Sequence, residues 1–498
     1  MKRITLLTLI ACITLCAASC EKLEKKILTV QSIGKSTIAS FFAEVSGLEA
    51  AGQGLHSEME KFIDTYYIKY GDIMGDMLNV NSSSANEGDY FLFNWAMRVE
   101  YVATYPRLLW NGGWSIVTAA NNIIYYGNLL LENAKDAEKP TIRKNLAWGY
   151  FARGFAHWCL CNCYAQPYNY TADHSHIGVP VVTHVPGFDE QIPRQSVAKV
   201  YKQVLDDVNK ALDILGEEAS VTDPWRISGL ACEALLARIY LYMQDWDKAA
   251  LYASKVMAKV ELSPRAEYVD MFRNPMSTPG KETILRMNQF SESSALVTIY
   301  NPTRSNGNSF YPCPVLASKY SAGDIRQDLL VYIPEPTEPA EYQGHTYDAV
   351  CKYCPYKSLS DDNRIPCPFV FRCSEMYLIH AEGIANGSAA DLAGAVDDLK
   401  ALEARARGID KSAVSMAYTD LASVNALIME QRIKELCFEG HSAFDYFRRG
   451  EGIHRPAASN ASVKDLEYGN FRCILPIDQT EMEANDFMEQ NDGYKDMK

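Results

Sequence analysis

The stretch from Gly229 to Met257 constrains the fold more than any other part of the sequence. Gly229 to Met243 reads as one helix, Asp245 and Trp246 mark a turn, and Asp247 to Met257 reads as a second helix. Ala237, Tyr240, Ala249 and Ala253 put small and aromatic residues where two helices approach closely. One such hairpin cannot bury its apolar face alone, so neighbouring hairpins must stack against it. Apolar residues at steps of three and four recur through most of the chain and predict a mainly α protein. Ser36 to about Tyr70 shows the pattern in Ile38, Phe41, Phe42, Val45 and Leu48 and again in Met59, Phe62, Ile63, Tyr66 and Tyr67, with an interruption expected at Gly52 to Gly54. Trp114–Leu131 and Pro140–Tyr164 read as a helical hairpin, with Pro140 suited to a first turn. Ser196 is the expected N-cap of a helix ending near Leu215. Ser374–Ile384, Ala389–Ala406 and Val424–Phe438 continue the theme.

Two regions break it. From about Ser263 to Pro368 the helical period disappears, and Pro, Gly, Asn, Ser and Tyr dominate, as in Asn301-Pro302-Thr303-Arg304 and Tyr311-Pro312-Cys313-Pro314. Val80 to Trp110 is also irregular and carries Tyr90, Phe91, Phe93, Trp95, Tyr101 and Tyr105. Long loops on a rigid scaffold are common places for binding. These divisions give an N-terminal helical part at 31–262, a loop-rich ligand-binding insertion at 263–368 and a C-terminal helical part at 369–498 that closes the fold. The 229–257 hairpin resembles a tetratricopeptide unit.

The first residues predict export. Lys2 and Arg3 precede an apolar run from Ile4 to Ala18, too short to span a bilayer comfortably. The run ends in Ala17-Ala18-Ser19-Cys20, small residues before a cysteine, which is what a lipoprotein signal peptidase reads. Residues 1–19 are therefore expected to be a signal peptide, with Cys20 the lipidated N-terminus and residues 20–30 a polar tether.

Net charge is -14, which argues against a nucleic-acid partner. Thirty tyrosines suit sugar or peptide surfaces, since each ring joins an apolar face to a polar tip, although they also pack in cores. Of fourteen cysteines, Cys12 and Cys16 leave with the leader and Cys20 takes lipid, so eleven remain. Cys159-Leu-Cys161-Asn-Cys163 and Cys351-Lys-Tyr-Cys354 have ligand-like spacing, but no second Cys or His pair follows in register, and no metal or other cofactor is expected. A disulfide among Cys351, Cys354, Cys367 and Cys373 is left open.

Several phrases, in order, resemble the SusD/RagB family of outer-membrane nutrient-binding lipoproteins. They include Tyr150-Phe151-Ala152-Arg153-Gly154-Phe155-Ala156, Gly178-Val179-Pro180 and Pro193-Arg194-Gln195-Ser196-Val197. Further along come Trp225-Arg226, Arg372 with Glu375, Ala381-Glu382, Glu435-Leu436, Glu439-Gly440, Phe444-Asp445 with Arg448, and Leu475-Pro476-Ile477. The sequence departs from the family pattern at Ser442, Arg449, Asp478, Asp486 and Asp492. Arg372, Glu375, Glu435, Glu439, Asp445 and Arg448 could be read as catalytic carboxylates and partners. Structural ion pairing is the expected reading, because a buried charge must be paired.

The resemblance implies a helical SusD-like scaffold at the cell surface, anchored in the outer membrane and capping a SusC-like TonB-dependent transporter. It implies binding of a glycan or oligosaccharide, with a peptide-binding lid of a RagA-like transporter as the alternative. By region rather than by motif, it points to Tyr90, Trp95, Arg98, Tyr300, Asn301, Arg304 and Tyr311 as ligand contacts. Trp110 and Trp114 are expected in the core. A hydrolase is disfavoured: Gly-x-Ser-x-Gly and His-Glu-x-x-His are absent, and His174-Ser175-His176 reads as a solvated loop. A helical scaffold without a small ligand is the remaining rival.

Overall fold

The computed structural model describes residues 38–99, 105–187, 189–287, 295–300, 309–330, 352–353 and 367–495. The expected leader, Cys20, the tether, Asn301, Arg304, Cys351 and Cys354 lie outside these residues.

Helix α1 spans Val45–Phe62 and runs on through a π-helical turn, Ile63–Tyr67, into Ile68–Ile73. The break expected at Gly52 to Gly54 is not there. Gly52 instead marks a close approach: a Cβ on it would lie 2.2 Å from Asn145 Oδ1. The missing side chain serves packing, at the usual glycine cost to the helix.

Helices α2 (Tyr105–Asn133) and α3 (Lys139–Tyr164) form the expected antiparallel hairpin. Helix α2 starts nine residues before the expected Trp114. Pro106 in its first turn is compatible with helix, and buried Leu109 and Trp110 continue the stripe of Ile116, Val117, Ala120 and Ile123. Helix α4 (Val197–Leu215) is capped by Ser196, whose side chain accepts from Lys199 N, and ends at Gly216 with φ 76°. Helices α5 (Gly229–Met243) and α6 (Trp246–Met257) are capped by Ser228 and Asp245. Ala237, Ala249 and Ala253 are fully buried, as a close helix pair requires. Helices α7 (Cys373–Asn386), α8 (Leu392–Arg407) and α9 (Leu421–Leu436) complete the long elements. Packing follows chain order: α2 on α3, α3 on α4, α4 on α5, α5 on α6, α6 on α7, then α8 and α9 on α7. The protein is mainly α.

Strands are short and come in antiparallel pairs. Strand β1 (Leu78–Val80) pairs with β5 (Phe310–Pro312), and β2 (Ile177–Pro180) pairs with β3 (Arg194–Ser196). Strand β4 (Thr283–Arg286) pairs with β6 (Phe369–Arg372), and β7 (Ile453–His454) with β8 (Asp465–Leu466). The described part of 263–368 otherwise holds short helices such as Asp270–Arg273, Ala295–Tyr300 and Pro314–Ser318. Among the described residues no helix is long and apolar enough to cross a membrane.

A buried ion network joins the C-terminal helices to the strands. Arg372 donates to both oxygens of Glu439 at 2.8 and 2.9 Å, to Glu435 at 2.7 Å and to Glu282 at 2.8 Å. Arg405 bridges Glu282 and Glu435 at 2.9 and 2.7 Å, and Arg326 joins Asp324, Glu403 and Glu435. Lys352 reaches Glu439 at 2.6 Å. Elsewhere Arg238 clasps Glu375, Arg448 clasps Glu382, and Asp445 sits between Arg432 and Arg448. All six charged residues expected to be structural are buried and ion-paired.

Two outcomes follow. Arg372→Met removes one cation from each of Glu282, Glu435 and Glu439 in a buried site, and we expect a loss of about 3–5 kcal/mol in urea unfolding. Burial alone would raise the Glu439 carboxyl, but the Arg372 and Lys352 charges outweigh it and hold the pKa at about 2, against an ordinary 4.5. A carboxyl with a lowered folded pKa contributes stability that is complete above the ordinary value and lost as pH falls towards the folded value. The urea midpoint should therefore drop from pH 6 to pH 2.5, and drop less in Glu439→Gln. Equal drops in the two proteins would refute that assignment.

Candidate ligand-binding surface

The loop-rich regions meet at the pair β1–β5. Its register sets Leu78 opposite Pro312, Asn79 opposite Tyr311 and Val80 opposite Phe310. Two strands of this length are marginal by themselves, and a distant asparagine supports them. Asn460 accepts from Val80 N at 3.0 Å and donates back to Val80 O at 2.6 Å, so one side chain extends the sheet edge. Its own N–H donates to Asn79 Oδ1 at 3.0 Å, and Asn79 Nδ2 donates to Ala458 O at 3.3 Å.

The neighbouring helix Glu87–Phe93 is capped by Asn86, which accepts from Asp89 N at 2.9 Å. Asp89 is buried and pairs with Lys69 at 2.7 Å. At the far end Asn94 Oδ1 accepts from Ser462 N and Oγ at 2.8 and 2.7 Å. The 458–462 segment therefore ties this helix to β1 and β5.

The expected contact residues that are described separate into two groups by exposure. Tyr90 is 37% exposed, Arg98 is exposed and Tyr311 is half-buried. The Tyr311 hydroxyl accepts from Asn460 Nδ2 at 3.4 Å, which leaves its own proton to donate. An aromatic face, an amide and a guanidinium are the groups that address sugar rings and hydroxyls.

Trp95 and Tyr300 need correction, because neither ring is open to a ligand. Trp95 is 2% exposed, in a left-handed turn with φ 49°. Its Nε1 donates to Met74 O at 3.0 Å, and the Arg455 guanidinium covers the ring 3.9 Å from its centroid. That guanidinium is itself held by the carbonyls of Ile73, Gly75 and Phe93. Tyr300 is 0% exposed and donates to Asp72 Oδ2 at 3.4 Å. Burial pushes the Asp72 carboxyl well above the usual range. Both aromatics support the surface from below. Trp110 is buried and Trp114 half-buried, with rings edge to face at 5.4 Å.

The histidine pair lies in a solvent-facing loop, with Asp173 and Ser175 exposed and both rings half-buried and hydrogen-bonded. His174 Nδ1 bonds Tyr168 O at 2.8 Å, while His176 bonds Thr171 Oγ1 at 2.9 Å and Gln166 O at 3.0 Å. His176 and the exposed Tyr170 line a cavity of about 360 Å³ with Phe471 and Gln490. A second cavity, about 280 Å³, lies between α1, α3 and the turn before α5 and includes His56, Lys144, Trp148 and Arg226. Sequence reasoning missed both, because their residues come from distant segments without a shared motif. Cys159 and Cys163 are buried on α3, where burial pushes both thiols up, and Cys373 Sγ donates to Val260 O at 2.9 Å. Among the described residues no three His, Cys, Asp or Glu side chains converge as a metal site.

Comparison with known proteins places this frame. Residues 47–241 match the SusD-like family described as starch-binding and associating with the outer membrane, and residues 263–494 match the SusD family. A SusD superfamily protein from Bacteroides thetaiotaomicron aligns with a TM-score of 0.75 at 21% identity, covering 90% of this chain and 99% of that one. A SusD-like carbohydrate binding protein from Bacteroides vulgatus aligns at 0.70 and 20% identity, over 89% and 97% of the two chains. Surface glycan-binding protein A from Bacteroides fluxus aligns at 0.68 and 18% identity, over 90% and 99%. A search of curated proteins returns no match. Two successive family matches, and one fold shared over nine-tenths of its length, make this chain a member of the SusD family.

Proposed function

We propose that this protein captures glycans at the cell surface and passes them to a SusC-like TonB-dependent transporter in the outer membrane. The observation that carries the reading is the surface at β1–β5, where Tyr311, Asn460 and the helix bearing Tyr90 share a hydrogen-bonded frame. Two structural relatives are named for carbohydrate or glycan binding. Binding of this kind uses stacking on aromatic faces and hydrogen bonds to hydroxyls, and breaks no bond. The six carboxylates and arginines that invite a catalytic reading are already committed to ion pairs. Attachment through lipid on Cys20 is part of the proposal and rests on Ala17-Ala18-Ser19-Cys20 at the end of the apolar leader. An anchored lid of this kind keeps its binding face at the transporter mouth, where release becomes uptake.

Calorimetry on the chain beginning at Glu21, against plant, host and microbial glycans and mixed oligopeptides, tests the reading. We expect a glycan to bind and Tyr311→Ala to weaken it by ~1–2 kcal/mol, roughly tenfold in Kd. A peptide as the only ligand would change the nutrient, and release of reducing ends would make the protein an enzyme. No ligand at all from a folded protein would favour a scaffold. Trp95→Ala should behave differently from Tyr311→Ala: a loss of about 3–5 kcal/mol in stability, seen in urea unfolding, because it empties a packed site. Tyr90→Ala should leave the unfolding free energy within about 0.5 kcal/mol of the parent, as a surface change does.

A further inference from the structure

The cavity between α1 and α3 has features that packing does not require. Its volume is about 280 Å³, near the roughly 300 Å³ at which small-ligand pockets begin, so it suits one monosaccharide unit and not a chain. Trp148 forms its floor, fixed by Nε1 donating to Gly52 O at 3.2 Å. Gly52 and Asn145 line the same wall in close approach, a Cβ on Gly52 lying 2.2 Å from Asn145 Oδ1.

Polar groups around this space are unspent. His56 is 7% exposed, yet neither ring nitrogen has a hydrogen-bond partner among the described residues, and neither is walled off from the cavity. Burial and the Arg226 guanidinium push its pKa down to about 4, so at neutral pH it offers one N–H and one lone pair. Arg226 uses one N–H on Gln53 Oε1 at 3.0 Å. That bond leaves the Gln53 amide N–H groups and the other guanidinium donors available. Among the described residues neither Arg226 nor the exposed Lys144 has a carboxylate within ion-pair distance. The charged lining is two cations against one rim carboxylate, Glu49, in a protein of net charge -14. Two further acids lie near without lining it: Asp223 is exposed and bonds Trp225 N at 3.0 Å, and Glu218 feels the Lys144 charge.

We propose that this cavity is a second ligand site, separate from the β1–β5 surface, which takes one carboxylate-bearing sugar unit of the uronate type. Arg226 and Lys144 hold the carboxylate, a task suited to a guanidinium fork and a mobile ammonium. His56, Gln53 and Asn145 address hydroxyls. Glu49 accepts from a further hydroxyl at the rim and disfavours a second negative charge. A bare carboxylate would leave the hydroxyl partners unused, and a neutral sugar would leave the cations unpaired.

The test is calorimetric titration of the chain beginning at Glu21 with glucuronate, glucose and acetate, alongside NMR of the His56 ring. Glucuronate should bind one to one, with glucose and acetate at least tenfold weaker, and should shift the His56 ring signals. Arg226→Met should weaken glucuronate at least tenfold and Lys144→Met about fivefold. Lys144 is exposed, so loss in that variant is not a folding failure. Tyr311→Ala should leave glucuronate binding unchanged, which separates this site from the proposed glycan surface. Equal affinity for glucose and glucuronate would overturn the proposal. So would affinity that survives both cation variants, loss in Tyr311→Ala, or absence of both heat and a His56 shift.

Discussion

Arg372 carries a full charge in a place sealed from solvent, and much of the structure is arranged around that fact. A charge so buried is tolerable only with partners in good geometry on every side. Its partners come from the approach to β4, from the end of α9 and from the turn beyond it, so all of these must be in place together. Glu435 is shared among Arg372, Arg405 and Arg326, and those cations overcome its burial to keep it ionised. Such a network contributes less to net stability than its number of bonds suggests, because desolvation opposes it. It does select one arrangement, since a shifted helix would strand a charge.

The network also reaches the loop surface. Beyond Glu439 the chain turns at Gly440, with φ 82°, and the Gly440 N–H donates to Asp72 at 3.0 Å. Asp72 receives the Tyr300 hydroxyl, and Tyr300 leads towards β5. On the other side Arg455 gathers the carbonyls of Ile73, Gly75 and Phe93 beneath Trp95. The aromatics that form the base are thus positioned by buried polar groups, and those at the rim are left to solvent.

Much of this was legible in the sequence because helices announce themselves locally. The period through Gly229–Met243 and the serine at 196 give elements that agree with the structure almost residue for residue. Two local readings failed for local reasons. Gly52 reads locally as a breaker but is a contact residue, and Pro106 and the aromatics hide the first turns of α2 from the periodicity. The surface was harder. Tyr311 and Tyr300 are the same residue type eleven positions apart, and only tertiary packing makes one a rim group and the other a buried prop. Trp95 points inwards because of a left-handed turn that no tryptophan advertises. His56 sits in a regular amphipathic helix, where its lack of partners depends on α3 and Arg226 arriving from elsewhere in the chain.

Asn460 repairs the edge of β1 from 380 positions away, and this bears on when the protein becomes functional. A chain delivered N-terminus first can pair Leu78–Val80 with Phe310–Pro312 only after more than half of it has emerged, and gains the Asn460 edge later still. Contacts of such separation close slowly. The helical hairpins can form as they appear, whereas the surface that would meet a ligand is finished last. A product truncated before Asn460 would lose this edge support together with the Asn491 bond to Tyr164 O at the end of α3, so the β1–β5 surface and the end of that helical hairpin depend on the same late segment.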